Sequence, residues 1–202
     1  ECVGHLTSLR YSGDHSIRLH LAGCKAQPSH SHMDKSGFIL ELDGRPTLID
    51  RGIVRYDDSR GEVMKWSCMH NVITPVLPDG SFAKQSAPEY AILPVGRGDE
   101  ETLRAFIDVS TVWGSIMSRC TRRIDSDTPD HFTIIDEGEL LASGSIAFHL
   151  HAPVPFEIKG KIAILNIDEV QLKITLEWAE SITQREDGID FKFEPVFHLV
   201  AL

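Results

Sequence analysis

Histidine and acidic residues with metal-ligand spacing are concentrated early in the chain. His30 and His32 form an H-x-H pair followed by Asp34, and Asp50 and His70 come further along. On a strand, residues i and i+2 point to the same side, so the two imidazoles of the pair would project in parallel. Two imidazoles and a carboxylate suit a borderline-soft divalent ion such as zinc. The pattern indicates a metal site, and histidines satisfied by backbone groups of strands are the alternative.

A β-hairpin is predicted to bring the acidic residue to this site. Asp43 and Gly44 separate the apolar stretches 38–42 and 46–49, and an Asp-Gly pair between two such stretches is a hairpin signal. Asp50 follows the second stretch. We therefore expect the second stretch to run antiparallel to the first and to place Asp50 near it.

Alternating apolar residues predict strands through most of the chain. The clearest runs are Ile17, Leu19 and Leu21; Ile162 and Ile164; Ile146, Phe148 and Leu150; and Val170, Leu172, Ile174, Leu176 and Trp178. Short strands separated by turns that contain glycine and proline predict an all-β fold, an antiparallel multi-stranded β-sandwich with little helix. Neither a linker nor an internal repeat divides the sequence, so residues 1–202 are predicted to form one domain.

Some charged and polar residues are predicted to lie at the surface of this sandwich. His149 and His151 alternate with the apolar residues of their run, which places them on its opposite, solvated face. Arg122 and Arg123 are expected to be an exposed pair. Residues 186–188, Glu-Asp-Gly, are a predicted turn.

Composition and charge exclude several classes of protein. Thirty acidic residues against twenty Lys and Arg give a net charge of -10, which would repel a phosphate backbone and excludes a nucleic-acid partner. No run approaches the ~20 apolar residues that cross a bilayer, which excludes a membrane span. The four cysteines have no C-x-x-C spacing and are predicted to be mostly free, buried thiols.

The residues around the H-x-H pair resemble a known protein family. The segments concerned are SHSHMDKSGFILELDGRPTLIDRG, residues 29–52, and CMHN, residues 68–71. They are similar to the β-sheet domain of heparinase II/III-type polysaccharide lyases, with its H-x-H-x-D, glycine turn, Asp-x-Gly and later His-Asn. Arg51 departs from the proline usual in that pattern. A cupin also uses H-x-H on a strand, but it needs a glutamate where this chain has Ser36 and Gly37.

The resemblance implies a fold, a reaction and a metal site. Enzymes of this family join an N-terminal α/α toroid to a C-terminal β-sandwich, and they cleave uronate-containing glycans by β-elimination. The resemblance assigns His30 to the substrate cleft as a catalytic residue. It assigns a divalent metal, such as zinc, to His32, Asp50 and His70.

Further residues take supporting roles under the same resemblance. Asp34 and Asn71 match positions that would orient the metal-binding histidines through hydrogen bonds. Tyr56 matches an aromatic residue near the cleft. Arg51 and Arg55 would meet a uronate carboxylate, with solvated loop charge as the alternative for both.

The family's toroid and its principal tyrosine acid/base have no counterpart in these 202 residues. We therefore expect weak or no lyase activity from the isolated chain, with the missing toroid and an acidic polysaccharide as its partners. The net charge slightly favours a less densely charged glycan such as alginate. A non-catalytic carbohydrate-binding module derived from such a lyase is the alternative, and a stand-alone metal hydrolase is a third class. The family implies a periplasmic or secreted location, although the chain begins with no secretory-signal pattern.

Overall fold

Antiparallel strands make up most of the computed structural model, which describes residues 4–25, 31–55, 57–190, 192 and 194–202. In chain order the strands are β1 (His5–Ser12), β2 (His15–Ala22), β3 (Phe38–Leu42), β4 (Arg45–Leu48), β5 (Ile73–Pro75), β6 (Val95–Gly98), β7 (Leu103–Asp108), β8 (Met117–Thr128), β9 (His131–Leu140), β10 (Ile146–Ala152), β11 (Glu157–Lys159), β12 (Ile162–Ile167), β13 (Val170–Thr175), β14 (Ile182–Ile189) and β15 (Pro195–Ala201). The helical elements within the described ranges are α1 (Arg60–Met64) and the 3-10 turns Ser67–Met69 and Ser110–Val112. The predicted all-β class with little helix is confirmed.

The strands form four antiparallel sheets. Sheet I has the order β1-β2-β3-β4, sheet II β6-β7-β8-β9, sheet III β14-β15-β10-β5 and sheet IV β11-β12-β13. Sheets I, II and IV follow chain order, whereas sheet III joins strands that are far apart in sequence. Buried apolar side chains from all four sheets form one core, with Leu21, Ile107, Leu199 and Leu165 among its members. Among the described residues, the helical segments lack the length and the apolar character of a membrane-spanning helix.

The hairpin between β3 and β4 forms as predicted. Asp43 and Gly44 both have positive φ, 52° and 71°, and Leu42 pairs with Arg45 across the turn. Two consecutive positive φ angles are typical of the tight turn that matches strand twist, and aspartate and glycine tolerate them best. The hairpin thus directs the chain back along β3 and on to Asp50.

Two predicted boundaries were wrong. β13 ends at Thr175 rather than Trp178, because Leu176 turns into the core and its N–H donates to the Lys161 carbonyl. The predicted turn at residues 186–188 lies inside β14, as a shift of register between Glu186 and Ile189. Irregularities of this kind re-aim side chains, and here Asp187 contacts residues of other segments, described below.

The cysteine prediction is confirmed within the described ranges. Cys24, Cys68 and Cys120 are buried and free, and Cys2 lies outside those ranges.

Candidate metal centre

The structure brings the three predicted metal ligands together. Candidate ligand atoms of His32, Asp50 and His70 all lie within 4.8 Å of one another. His70 Nδ1 is 2.6 Å from Asp50 Oδ2, and the ring centroids of His32 and His70 are 5.2 Å apart. His70 is fully buried, and the other two side chains are partly accessible. His70 therefore forms the inner side of the cluster, and His32 and Asp50 form the side that solvent can reach.

All three ligands lie on loops, outside the strands. His32 precedes β3 in a segment that is not a strand, so the strand alternation expected for the H-x-H pair does not set its direction. Asp50 lies two residues beyond β4, and His70 directly follows the 3-10 turn Ser67–Met69. Contacts with other segments must therefore hold these loops in place.

Asn71 connects two of the loops to each other. Its side-chain Nδ2 donates to the carbonyls of Phe38, at 2.7 Å, and Ile49, at 3.1 Å. Its Oδ1 accepts the backbone N–H of His151 at 2.8 Å. Because Asn71 follows His70 and Ile49 precedes Asp50, one buried amide fixes the two ligand-bearing segments side by side. These hydrogen bonds go to backbone groups, whereas the resemblance had implied hydrogen bonds to the imidazoles of His32 and His70.

Lys35 organises the turn that carries His32. Its buried ammonium donates to Asp34 Oδ1 and Ser31 Oγ, both at 2.7 Å, and to the His32 carbonyl. The Gly37 N–H closes the turn on the Asp34 carbonyl at 2.7 Å. The carboxylate of Asp34 thus neutralises a buried lysine rather than hydrogen-bonding a ligand imidazole.

Gln85, which no sequence signal singled out, ties this turn to the His70 segment. Its side-chain amide makes reciprocal 2.9 Å hydrogen bonds with the backbone N–H and C=O of Lys35. Its own N–H donates to Ser67 Oγ at 2.9 Å. A glutamine in a stretch without strand or helix periodicity offers no local sign of such a role.

Electrostatics shift the pKa values of the two histidines in opposite directions. Burial alone would lower the pKa of His70, but the charge and hydrogen bond of Asp50 outweigh it and raise that pKa. Burial opposes ionisation of Asp50 as well, yet the His70 charge and hydrogen bond, with the Gly52 N–H, lower its pKa to about 2. Burial and the nearby His70 charge lower the pKa of His32.

The donor set fits a divalent ion. His70 Nε2 is buried and makes no hydrogen bond, and two imidazoles with one carboxylate are a common zinc ligand set. Ligand atoms of a tetrahedral zinc stand about 3.3 Å apart, so the 2.6 Å contact must widen if Asp50 and Nδ1 of His70 both bind one ion. If Nε2 of His70 binds instead, Asp50 orients that imidazole from behind.

The predicted substrate residues have different environments. His30 and Tyr56 lie outside the described residues. Arg51 is buried, with Nη1 donating to the Asp187 carbonyl and Nη2 lying 3.5 Å from Asp187 Oδ2. Arg55 is exposed and pairs with Asp57 through two hydrogen bonds of 3.0 and 2.7 Å. Arg55 therefore lies at the surface, paired with a carboxylate of its own loop, whereas Arg51 is held by another segment.

The expectation that His149 and His151 lie at the surface is wrong. Both are fully buried with His198, because β10 is an inner strand of sheet III and neither of its faces is solvated. His149 Nδ1 lies 2.9 Å from His198 Nε2, and His198 Nδ1 lies 3.1 Å from Asp187 Oδ2. His149 Nε2 lies 2.7 Å from Thr74 Oγ1.

Hydrogen-bond chemistry fixes the protons of His149 and His198, two members of a buried histidine cluster that also contains His151. The carboxylate of Asp187 only accepts, so His198 donates from Nδ1 and its Nε2 accepts from His149. Nε2 of His149 then accepts from the Thr74 hydroxyl. Burial lowers the pKa of all three histidines, so the cluster is neutral. Three of the ten histidines in the sequence thus form part of a polar core.

Solved structures of heparinase III share this fold. A heparinase III gene product matches over 99% of this chain and 32% of its own length, with a TM-score of 0.77 and 12% sequence identity. Heparan sulfate lyase HepC from Pedobacter heparinus matches over 98% of this chain and 32% of its own, with a TM-score of 0.75 and 15% identity. This chain thus spans about a third of the length of each. No protein-family model and no curated protein matches the sequence. The predicted resemblance is confirmed at the level of the fold.

Proposed function

We propose that this chain is the metal-binding β-sandwich domain of a polysaccharide lyase that cleaves uronate-containing glycans by β-elimination. The observation that carries the proposal is the convergence of His32, Asp50 and His70 from three loops. The fold shared with heparinase III and heparan sulfate lyase structures supports the reaction class.

The proposed reaction needs an acid/base pair and a neutralised uronate carboxylate. A base removes the proton at C5, the electrons form the C4–C5 double bond, and the C4–O bond breaks as an acid protonates the departing oxygen. His30 is the group this chain contributes at the cleft, and its place two residues before His32 couples it to the metal centre. Arg55, exposed at the surface, and Tyr56 contact the substrate.

The metal has a structural role in this proposal. When bound, the ion supplies a fixed positive charge and a cross-link between loops. The chain's own groups do the positioning: Asn71 holds the segments of Asp50 and His70 together, and Lys35 shapes the turn that leads to His32. Arg51, anchored on Asp187, contributes positive potential from the interior.

The remaining acid/base groups come from a further domain in this proposal. The chain spans about a third of the solved structures that it matches, and an α/α toroid would supply the other wall of the cleft. The isolated chain is then weakly active or inactive, and the complete protein is secreted or periplasmic, where acidic polysaccharides are met. Both a heparan-type glycan and a less densely charged uronate polymer such as alginate are candidate substrates.

Metal content tests the site directly. We expect the purified chain to bind about one zinc or cobalt ion, and His32→Ala to reduce the affinity by at least about tenfold. His131→Ala, at an exposed position on β9, is the matched control and is expected to bind normally. Unchanged metal content in His32→Ala would refute the assignment.

Product formation separates a lyase from an accessory module. The complete protein is incubated with heparan sulfate and with alginate, and the ultraviolet absorbance of the unsaturated uronate product is followed. A rise that His30→Ala abolishes supports the lyase. Glycan binding without any rise favours the second candidate, a non-catalytic carbohydrate-binding module.

A further inference from the structure

Arg122 is a buried cation outside the proposed metal cluster. The sequence predicted an exposed pair, Arg122 and Arg123, and the structure corrects half of it: Arg122 is fully buried, while Arg123 is exposed and pairs with Asp125 at 2.9 Å. The two differ because they face opposite sides of β8, and the Arg122 face is covered by sheets I and III. Its guanidinium lies 5.5 Å from the ring centroids of both Phe38 and Phe148.

Every nitrogen of this guanidinium has a partner. Nε and Nη2 donate to the two carboxylate oxygens of Asp136, the cross-strand neighbour on β9, at 2.7 and 2.8 Å. Nη1 donates to the backbone carbonyls of Ser36, at 2.6 Å, and Asn71, at 2.8 Å. Asp136 thus neutralises and orients the guanidinium, and Nη1 on the opposite edge connects two loops through their carbonyls.

Those two carbonyls belong to the segments that carry the histidines. Asn71 follows His70 directly, and Ser36 ends the compact turn that begins beside His32. Ser36 has φ 69°, a left-handed conformation that a residue other than glycine keeps only where its surroundings enforce it. Because the planar guanidinium of Arg122 binds both carbonyls, it fixes the spacing of the two loops through backbone groups rather than through the histidine rings.

We propose that Arg122, oriented by Asp136, is a positioning residue that sets the His32–His70 separation and so tunes the affinity of the metal centre. The inference rests on the proposed metal site and extends it to β8 and β9, which supply no ligand. Lysine is a poor substitute, because its single ammonium cannot hold a carboxylate with two parallel bonds and also bind two carbonyls on the far side.

Cobalt titration of the chain with Arg122→Lys tests the inference. We expect the cobalt affinity to fall about 10–100-fold, the size usual for loss of a group that orients metal ligands, and the visible absorption bands of bound cobalt to change. Arg123→Lys, one residue away at the surface, is the matched control and is expected to bind like the unmodified chain. Leu165→Ala, in the core at sheet IV, controls for lost stability and is expected to leave the cobalt spectrum unchanged.

A second measurement needs no metal. Imidazole NMR signals of His32 and His70 are expected to shift in metal-free Arg122→Lys and to stay in place in Arg123→Lys. If the unmodified chain binds no cobalt but these signals shift, the metal proposal fails and Arg122 still positions the pair. Unchanged signals, or unchanged cobalt affinity in a chain that does bind cobalt, overturn the inference. If Arg122→Lys does not fold, the same two measurements on Asp136→Asn decide the matter by the same criteria.

Discussion

Acidification from about pH 7.5 to about 5.5 is expected to destabilise the chain through the buried histidine cluster. His149, His151 and His198 are fully buried, and their pKa values are lowered by burial and by their charged neighbours, most strongly for His149 and His151. In the unfolded chain each histidine titrates near pH 6.5. Between pH 7.5 and 5.5 the unfolded state therefore binds protons that the folded state does not bind.

The sign and size of the effect follow from this difference. A lowered folded pKa means that stability is full above the unfolded pKa and is lost as the pH falls below it. A histidine that stays neutral in the fold costs about 1.4 kcal/mol at one pH unit below its unfolded pKa. His149 and His151 together therefore lower the free energy of unfolding by about 2.7 kcal/mol on acidification. For an m-value of about 2.5 kcal/mol/M, this loss lowers the urea midpoint by about 1 M.

Urea unfolding at the two pH values measures this quantity. His149→Gln removes one titrating group, so its loss of stability on acidification is expected to be smaller than that of the unmodified chain by about 1.4 kcal/mol. His131→Gln, at an exposed position, is expected to keep the full loss. His70, whose pKa is raised, contributes with the opposite sign, but equally in all three proteins, so it cancels in the comparison.

An equal loss on acidification in the unmodified chain and in His149→Gln would refute the reasoning. It would mean that His149 takes up a proton in the folded state, and that the proton order derived from Asp187 is wrong.

Three further predictions concern single groups. Gly37→Ala places a Cβ 2.7 Å from the Asp34 carbonyl oxygen and is expected to cost about 1–3 kcal/mol by thermal unfolding and to weaken metal binding; unchanged stability would contradict the turn geometry. Burial, with the charge of Asp136, raises the pKa of the Cys120 thiol to about 12, so Ellman's reagent is expected to modify it only after denaturation, and rapid labelling of the native chain would contradict its burial. Removing the metal from a chain saturated at about 100 times Kd is expected to lower Tm by about 5–10 °C, and an unchanged Tm would argue against a bound ion.

The hairpin that delivers Asp50 was predictable because its determinants are local. An Asp-Gly pair favours consecutive positive φ angles whatever surrounds it, and the apolar period of two marks β2, β3 and β10. Local pairing accounts only for the expected place of Asp50, because a hairpin brings neighbouring segments together. His32, Asp50 and His70 were assigned to one metal by the family resemblance.

Burial of polar residues was not predictable from the same pattern. His149 and His151 alternate with apolar residues as surface side chains do, and the neighbours of β10, which come from distant parts of the chain, put both faces inside. The burial of Arg122 was unpredictable for the same reason. Its immediate sequence neighbours are polar, but its side chain faces two other sheets and hydrogen-bonds Asp136 and two backbone carbonyls.

The sequence by itself determined the strand class and the hairpin, because both depend on residue types a few positions apart. The candidate ligands came from the family resemblance of the segments that carry them. Only the tertiary structure decided which polar groups became buried and which loops they hold. The side chains of Gln85, Arg122 and Asn71 form hydrogen bonds with partners that are 14 to 86 positions away in the sequence, and no local period encodes such contacts. The cost of burying an unpaired polar group is what selects them, and that cost exists only once the sheets are packed.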